Sequence, residues 1–175
     1  MQTTTLKTPI GRCCFPSLFK PKAFNDGDPE KFAVTVVFEE GADLKELVKA
    51  AEEAAQNKWG KDRPKNLRLP FRSTDEYDGK AGFEEPGTFV RFQTDRKPQV
   101  VNRRGDNCEE EEVYPGCYIR VSCRPYAYDY KGNCGVAFGL NNVLFYDDGE
   151  RLAGGSRAKD DFSDDFDGET SSYNL

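Results

Sequence analysis

Residues 113–145 constrain this chain more than any other segment. Cys117–Tyr130 and Cys134–Phe145 are rich in strand-forming residues and flank Lys131-Gly132-Asn133, a compact hairpin loop containing a glycine. Two strands joined this tightly pair antiparallel, and their register is set by the face they bury. Side chains alternate across a strand, so 118–130 separates into two sets. Ile119, Val121, Cys123, Pro125, Ala127 and Asp129 are mostly small or apolar and suit a core. Tyr118, Arg120, Ser122, Arg124, Tyr126, Tyr128 and Tyr130 form the opposite face, where arginine alternates with tyrosine. Pro125 is where a bulge would shift that phase.

The remaining pattern is also β-rich. Ile10–Phe19 is strand-like but interrupted by Pro16, after a polar stretch 1–9 that reads as a loose arm. Phe24–Pro29 is a dense turn signal, and Lys31–Phe38 follows with Phe32, Val34, Val36 and Phe38 on one face. Further strands are expected at Thr88–Thr94 and Gln99–Asn102, with a long polar loop over 73–87. One segment changes period. In Asp43–Lys58, Leu44, Leu47, Val48, Ala51, Ala54 and Ala55 recur at helical spacing; Asp43 and Glu46 resemble a capping box, and Gly60 offers a stop. About five strands, one main helix and long loops predict a β-rich α+β domain. A Greek-key barrel of OB type fits that inventory, and a sandwich is the alternative.

Charge divides the chain. Of the formal net charge of −6, −5 falls from Lys159 onward, where Asp160, Asp161, Asp164, Asp165, Asp167 and Glu169 face one base. The predicted organisation is a folded body, 1–157, and a disordered acidic tail, 158–175. Phe162 and Phe166 punctuate the tail as DDF-S-DDF, which suits a peptide that docks on another protein; the plainer reading is a solubility tail. The body is nearly neutral, so the acidic pI does not count against a basic groove on it.

Several classes of chemistry are closed or narrowed. The chain has no histidine, which removes the commonest general base and transition-metal ligand. Its six cysteines form no C-x-x-C pair and match no zinc spacing, so they are expected as reduced thiols in strand positions. Glu109–Glu112 could suggest a magnesium-dependent nuclease, but consecutive residues point different ways, and a solvated loop is the simpler expectation. No cofactor and no metal are expected. There is no membrane-length apolar run, and Met1–Thr8 lack the apolar core of a secretory signal.

The Arg/Tyr face has a specific use. Unpaired bases expose π-faces that stack on tyrosine, and guanidinium groups pair with phosphates; duplex DNA hides those faces. The ordinary alternative is a solvated sheet face with cross-strand packing. Candidate nucleic-acid contacts are Tyr118, Arg120, Arg124, Tyr126 and Tyr128, joined by Arg91, Lys97 and Arg103 from a second basic cluster that also holds Arg96 and Arg104. The basic run Lys58–Arg72 could extend the same groove.

Ordered motifs then carry a resemblance. They are Gly11-Arg12 with Phe15-Pro16-Ser17-Leu18-Phe19 and Pro21-Lys22-Ala23-Phe24, then Lys97-Pro98-Gln99-Val100-Val101. Tyr114-Pro115-Gly116-Cys117-Tyr118 with Arg120-Val121, and Gly139-Leu140-Asn141-Asn142-Val143, complete the series. In this order, and with the DDF tail, the chain resembles a tailed-phage family of single-stranded DNA-binding proteins. The resemblance implies an OB-fold that binds single strands without strong sequence preference during phage replication or recombination, in the host-cell cytoplasm. It also implies replication or recombination proteins as partners of Asp160, Asp161, Phe162, Asp164, Asp165 and Phe166, in a tail that competes with DNA for the groove. A homodimer is among the expected assemblies. Residues 167–175 run past Phe166, a departure from tails that finish at the aromatic. A nuclease or repair enzyme, and an adaptor that never touches DNA, are the competing functions.

Overall fold

The computed structural model describes residues 5–23, 25–77, 79–130 and 132–152, together with Phe162, Asp164 and Asp165. The predicted hairpin is present as β7 (Tyr118–Tyr130) and β8 (Asn133–Asp147), paired from Tyr118↔Asp147 to Tyr130↔Asn133. Ahead of it come β1 (Leu6–Lys7), β2 (Gly11–Lys22), β3 (Lys31–Glu39), β4 (Arg72–Ser73), β5 (Gly87–Thr94) and β6 (Gln99–Val101). Strands β2, β3, β5, β8 and β7 neighbour one another in that order, and β7 pairs back onto β2. The ring is therefore closed. That closure removes the sandwich alternative and gives the five-stranded Greek-key barrel of OB type. The β5–β8 contact is parallel, whereas the other ring pairings are antiparallel.

Alternation explains the core. Val34, Val36 and Phe38 of β3, Val90 and Phe92 of β5, Ile119, Val121 and Cys123 of β7, and Val136, Phe138 and Leu140 of β8 all point inward and are buried. The helix α1 (Lys45–Trp59) adds Leu47, Ala51 and Ala55 to the same core and packs against β7 and β8. Gly11 sits where β2 meets both β3 and β7. A Cβ there would collide with Val36 and approach a Phe38 ring carbon to 2.9 Å, so the closure needs a residue without a side chain.

The structure departs from sequence expectation in five places. The arm is not wholly loose: Leu6 pairs with Cys123 and Lys7 with Ser122, and Thr8 is fully buried. Pro125 introduces no bulge. The register shifts fall at Tyr118/Ile119 and Ser122/Cys123, where β8 carries the extra residues Tyr146 and Asn141, so β7 keeps its phase throughout. Leu44 caps α1 without a side-chain bond, and Asp43 only accepts the Lys45 amide. The capping box lies instead in the acid run, where Glu109 and Glu112 close a single 3-10 turn. Finally, the loop 73–87 has a core of its own: Phe83 is buried with Cys14 and Phe89, against Val37, Tyr77 and Leu152. Its sequence is polar overall, so two widely spaced aromatics gave no periodic signal.

All six cysteines are free thiols, though Cys108 and Cys117 lie outside strands. The Cys13 thiol, hydrogen-bonded to Cys117 and buried, is pushed up; burial drives Cys14 and Cys123 to about 12 and Cys108 to about 11. Thiolate is the reactive form, so it is scarce at pH 8 in the folded state. Iodoacetamide under native conditions is expected to modify half-buried Cys134 first, and the five buried thiols only on unfolding. Peptide mass mapping reads this directly; rapid native labelling of Cys13 or Cys123 would show that β2 or β7 opens.

Candidate nucleic-acid interface

The outward-facing residues assemble a site. The β2–β3 register slips between Cys14 and Ser17, leaving Phe15 and Pro16 as a bulge, and proline suits that place because it has no amide to donate. Phe15 takes a left-handed backbone (φ 47°) and lifts its ring out of the sheet, 52% exposed. Phe83 supports it from the loop, with ring centroids 6.1 Å apart. Phe83 also meets Tyr77 and Phe89 edge-on at 5.2 Å each, and Tyr77 stacks on Phe89 at 5.0 Å. Thr74, buried and donating to the Glu85 carbonyl at 2.9 Å, closes the loop that presents Tyr77.

Cations sit over these rings. Lys80 Nζ lies 4.7 Å from the Tyr77 centroid and 5.9 Å from that of Phe15; the Arg72 guanidinium lies 5.1 Å from Phe89 and 5.6 Å from Tyr77. Arg72 also pairs with Glu76 at 2.9 Å, a hydrogen bond that raises its pKa and lowers that of Glu76. Arg91 reaches the same groove from β5. Burial pulls its pKa down, but a guanidinium remains a cation at neutral pH. Phe15, Thr35, Arg72, Tyr77, Lys80 and Arg91 are among the residues that line this groove of about 410 Å³.

Beside that groove, strand register carries the outward face of the sheet across the barrel. Ser17 pairs with Ala33, Ala33 with Gln93, Gln93 with Gly139 and Gly139 with Arg124, so one outward row crosses all five ring strands. Four strand spacings of roughly 4.8 Å make that row about 19 Å long. Its floor is small, and its far end carries Tyr126, whose ring lies 3.9 Å from where a Gly139 Cβ would be and whose hydroxyl is 3.5 Å from Gln93 Nε2. Arg91, Arg124 and Tyr126 from the sequence-derived set are thus brought together.

The others are not all there. Tyr128 lies against Gly135, its hydroxyl 2.5 Å from where a Cβ would stand, beside the Arg68 carbonyl. Arg120 donates to the Thr8 carbonyl at 2.6 Å and so holds the N-terminal arm. Tyr118 is at the opposite end of β7, in a hollow with Ile10 that is rimmed by Glu39, Glu40, Glu84 and Glu85. That rim repels phosphate. Lys97 is exposed on the β5–β6 turn, and Arg103 lies 4.4 Å over the Tyr146 ring in a separate hollow with Arg104 and Glu112. Of the basic run 58–72, Arg63 is paired with Glu52 at 2.6 Å and Arg72 joins the groove. Sequence reasoning missed Phe15, Tyr77 and Lys80 as site residues. The available signal was Phe15-Pro16 interrupting an otherwise regular strand.

In the tail, Phe162, Asp164 and Asp165 are exposed, and the Asp165 amide donates to the Phe162 carbonyl at 2.8 Å in a turn. Asp160, Asp161 and Phe166 lie outside the described residues. Among the described residues no three Cys, Asp or Glu side chains gather as a metal site, and no helix is long and apolar enough to cross a membrane.

A family model described as Enterobacter phage Enc34, ssDNA-binding protein, matches residues 4–171. The chain belongs to that family. The Enc34 family assignment agrees with the resemblance carried by the ordered motifs. A protein called p50 from Acyrthosiphon pisum secondary endosymbiont phage 1 is 27% identical over 169 residues, covering 88% of this chain and 89% of that protein. The single-stranded DNA-binding protein of bacteriophage Enc34, solved in complex with single-stranded DNA, superposes with a TM-score of 0.74 at 22% identity, over 85% of this chain and 89% of that one. Gp2.5 of bacteriophage T7, a single-stranded DNA-binding protein, gives 0.58 at 16% identity over 99% and 100%. At these identities the superpositions establish a shared fold.

Proposed function

We propose that this chain binds single-stranded DNA without strong sequence preference and serves phage DNA replication or recombination in the cytoplasm of the bacterial host. The observation that carries the reading is the outward row across five strands, with the Phe15–Tyr77 platform and its cations at one end and Arg124 and Tyr126 at the other. Membership of the Enc34 family supports it. A groove lined with stackable rings and cations takes any base by its π-face. The reading is of a binding protein rather than an enzyme. The tail residues Asp160–Phe166 are assigned to replication or recombination proteins, and self-association as a homodimer belongs to the same proposal.

The test is a fluorescence titration with oligo-dT across salt concentrations. Affinity is expected to fall linearly on a log-log plot with a slope of about −0.7 per phosphate neutralised. Three to five contacts from Arg72, Lys80, Arg91, Arg124 and Lys22, which also lines the groove, would give roughly −2 to −3.5. Duplex of equal length is expected to bind far more weakly; equal affinity for both would defeat the stacking argument. Labelled single strand incubated with magnesium should stay intact, and cleavage would favour the nuclease instead.

A further inference from the structure

The last described residues of the body run across the closure of the barrel. Arg12 of β2 donates through Nε to the Gly116 carbonyl (3.2 Å) and through Nη2 to that of Glu150 (2.8 Å). The Tyr114 hydroxyl donates to Asp148 Oδ1 at 2.9 Å and accepts the Gly149 amide at 3.1 Å, while the Leu152 amide donates to the Pro115 carbonyl at 3.0 Å. Gly116 and Gly149 permit this approach: a Cβ on Gly116 would collide with the Glu150 carbonyl, and one on Gly149 with the Gly116 carbonyl. Residues 148–152 are therefore strapped down along their length.

Leu152 ends that strap half-buried against the second hydrophobic cluster, formed by Cys14, Phe83 and Phe89. It backs onto Gly82 so closely that a Cβ there would lie 2.7 Å from Leu152 Cδ1. Phe83, next along, supports the rings of both Phe15 and Tyr77. Leu152 itself does not line the groove.

Resting on the single-strand reading above, we propose that Leu152 is a positioning residue for the DNA site: the 148–152 strap holds the back of loop 79–83, and through it Phe15, Tyr77 and Lys80. Two consequences follow from thermodynamic reciprocity. DNA in the groove holds the strap down, and any protein that draws Leu152 out of its cluster loosens the grip on DNA. The acidic segment begins at Asp160, eight residues beyond Leu152 in the sequence, so a partner that docks there and draws Leu152 out would act on the groove without entering it.

Leu152→Ala in the full chain is expected to weaken oligo-dT binding about tenfold, whereas Leu152→Met retains most of the affinity. In a Phe15→Ala background the same change should cost clearly less than tenfold, because one of the three groups it positions is already gone. In the wild-type protein, saturating oligo-dT should slow hydrogen exchange at the Leu152 amide more than at the amides of α1. Wild-type affinity in Leu152→Ala, or losses that multiply fully in the Phe15→Ala background, would overturn positioning while leaving the single-strand reading intact. Should Leu152→Ala not fold, the exchange measurement decides alone, and an unchanged Leu152 amide overturns the proposal. Failure of the wild-type protein to bind oligo-dT at all would remove both readings.

Discussion

Phe15→Ala is expected to weaken single-strand binding by roughly 1–3 kcal/mol, the usual value of one base–aromatic stack, or about 5- to 150-fold in Kd. The ring is supported by Phe83 and approached by Lys80 at 5.9 Å, and the half of it that stays exposed is open to a base. Little of the core depends on it. The residue occupies a bulge outside the barrel interior, and its left-handed backbone costs any non-glycine residue about 1–2 kcal/mol. Phe15→Gly relieves that cost while deleting the same ring. The pair therefore separates binding from folding: both variants should bind poorly, and the glycine variant should melt no lower than the alanine one. Tyr118→Ala is the internal control. Its hollow is rimmed by four glutamates, so affinity should be unchanged. A Phe15→Ala protein that binds oligo-dT as the wild type does would show that DNA does not cross this groove.

The contrast between Phe15 and Tyr118 shows what sequence could and could not reveal. Period-two alternation placed Tyr118, Arg124 and Tyr126 on one face of β7, and the structure agrees. Sharing a face is a local property; sharing a site depends on where the barrel carries each end of a thirteen-residue strand. The ring takes Tyr126 toward Gln93 and leaves Tyr118 beside Glu39 and Glu84, which come from a different strand and a distant loop. Arg120 faced the right way but was already committed to the Thr8 carbonyl, a partner 112 residues away. Loop 73–87 was opaque for another reason. Phe83 and Tyr77 satisfy their apolar surface against Cys14 and Phe89, contacts that no periodicity encodes. The closed barrel was legible because five strands with a single apolar face leave few ways to bury it. The groove was not, because it is made by a bulge and a loop.

Phe138→Ala should produce the largest loss of stability, about 3–5 kcal/mol, from a total that for a domain of this size is roughly 5–15. Only Phe92↔Phe138 and Gln93↔Gly139 join β5 to β8, so the parallel seam that completes the ring has a short ladder. Side-chain packing must hold it. Phe138 and Phe92 are both fully buried with centroids 5.9 Å apart, and Phe71 meets Phe138 edge-on at 5.8 Å. Truncation to alanine empties the centre of that triad, while Phe138→Leu fills most of the space and should cost far less. Urea denaturation reads the difference as a lower midpoint at unchanged slope. Gly139, next along β8, faces outward in the proposed row, and because oligo-dT is expected to bind the folded chain and not the unfolded one, it should recover part of the loss. At a free concentration of 100 Kd, linkage predicts about 2.7 kcal/mol of recovery. A cost below about 1 kcal/mol would mean that the seam is held by the helix and the β7–β8 hairpin, with the Phe92–Phe138 contact incidental. Full destabilisation with no recovery on adding DNA would mean that the folded variant no longer binds the single strand, and that the seam is needed to hold the binding face in shape.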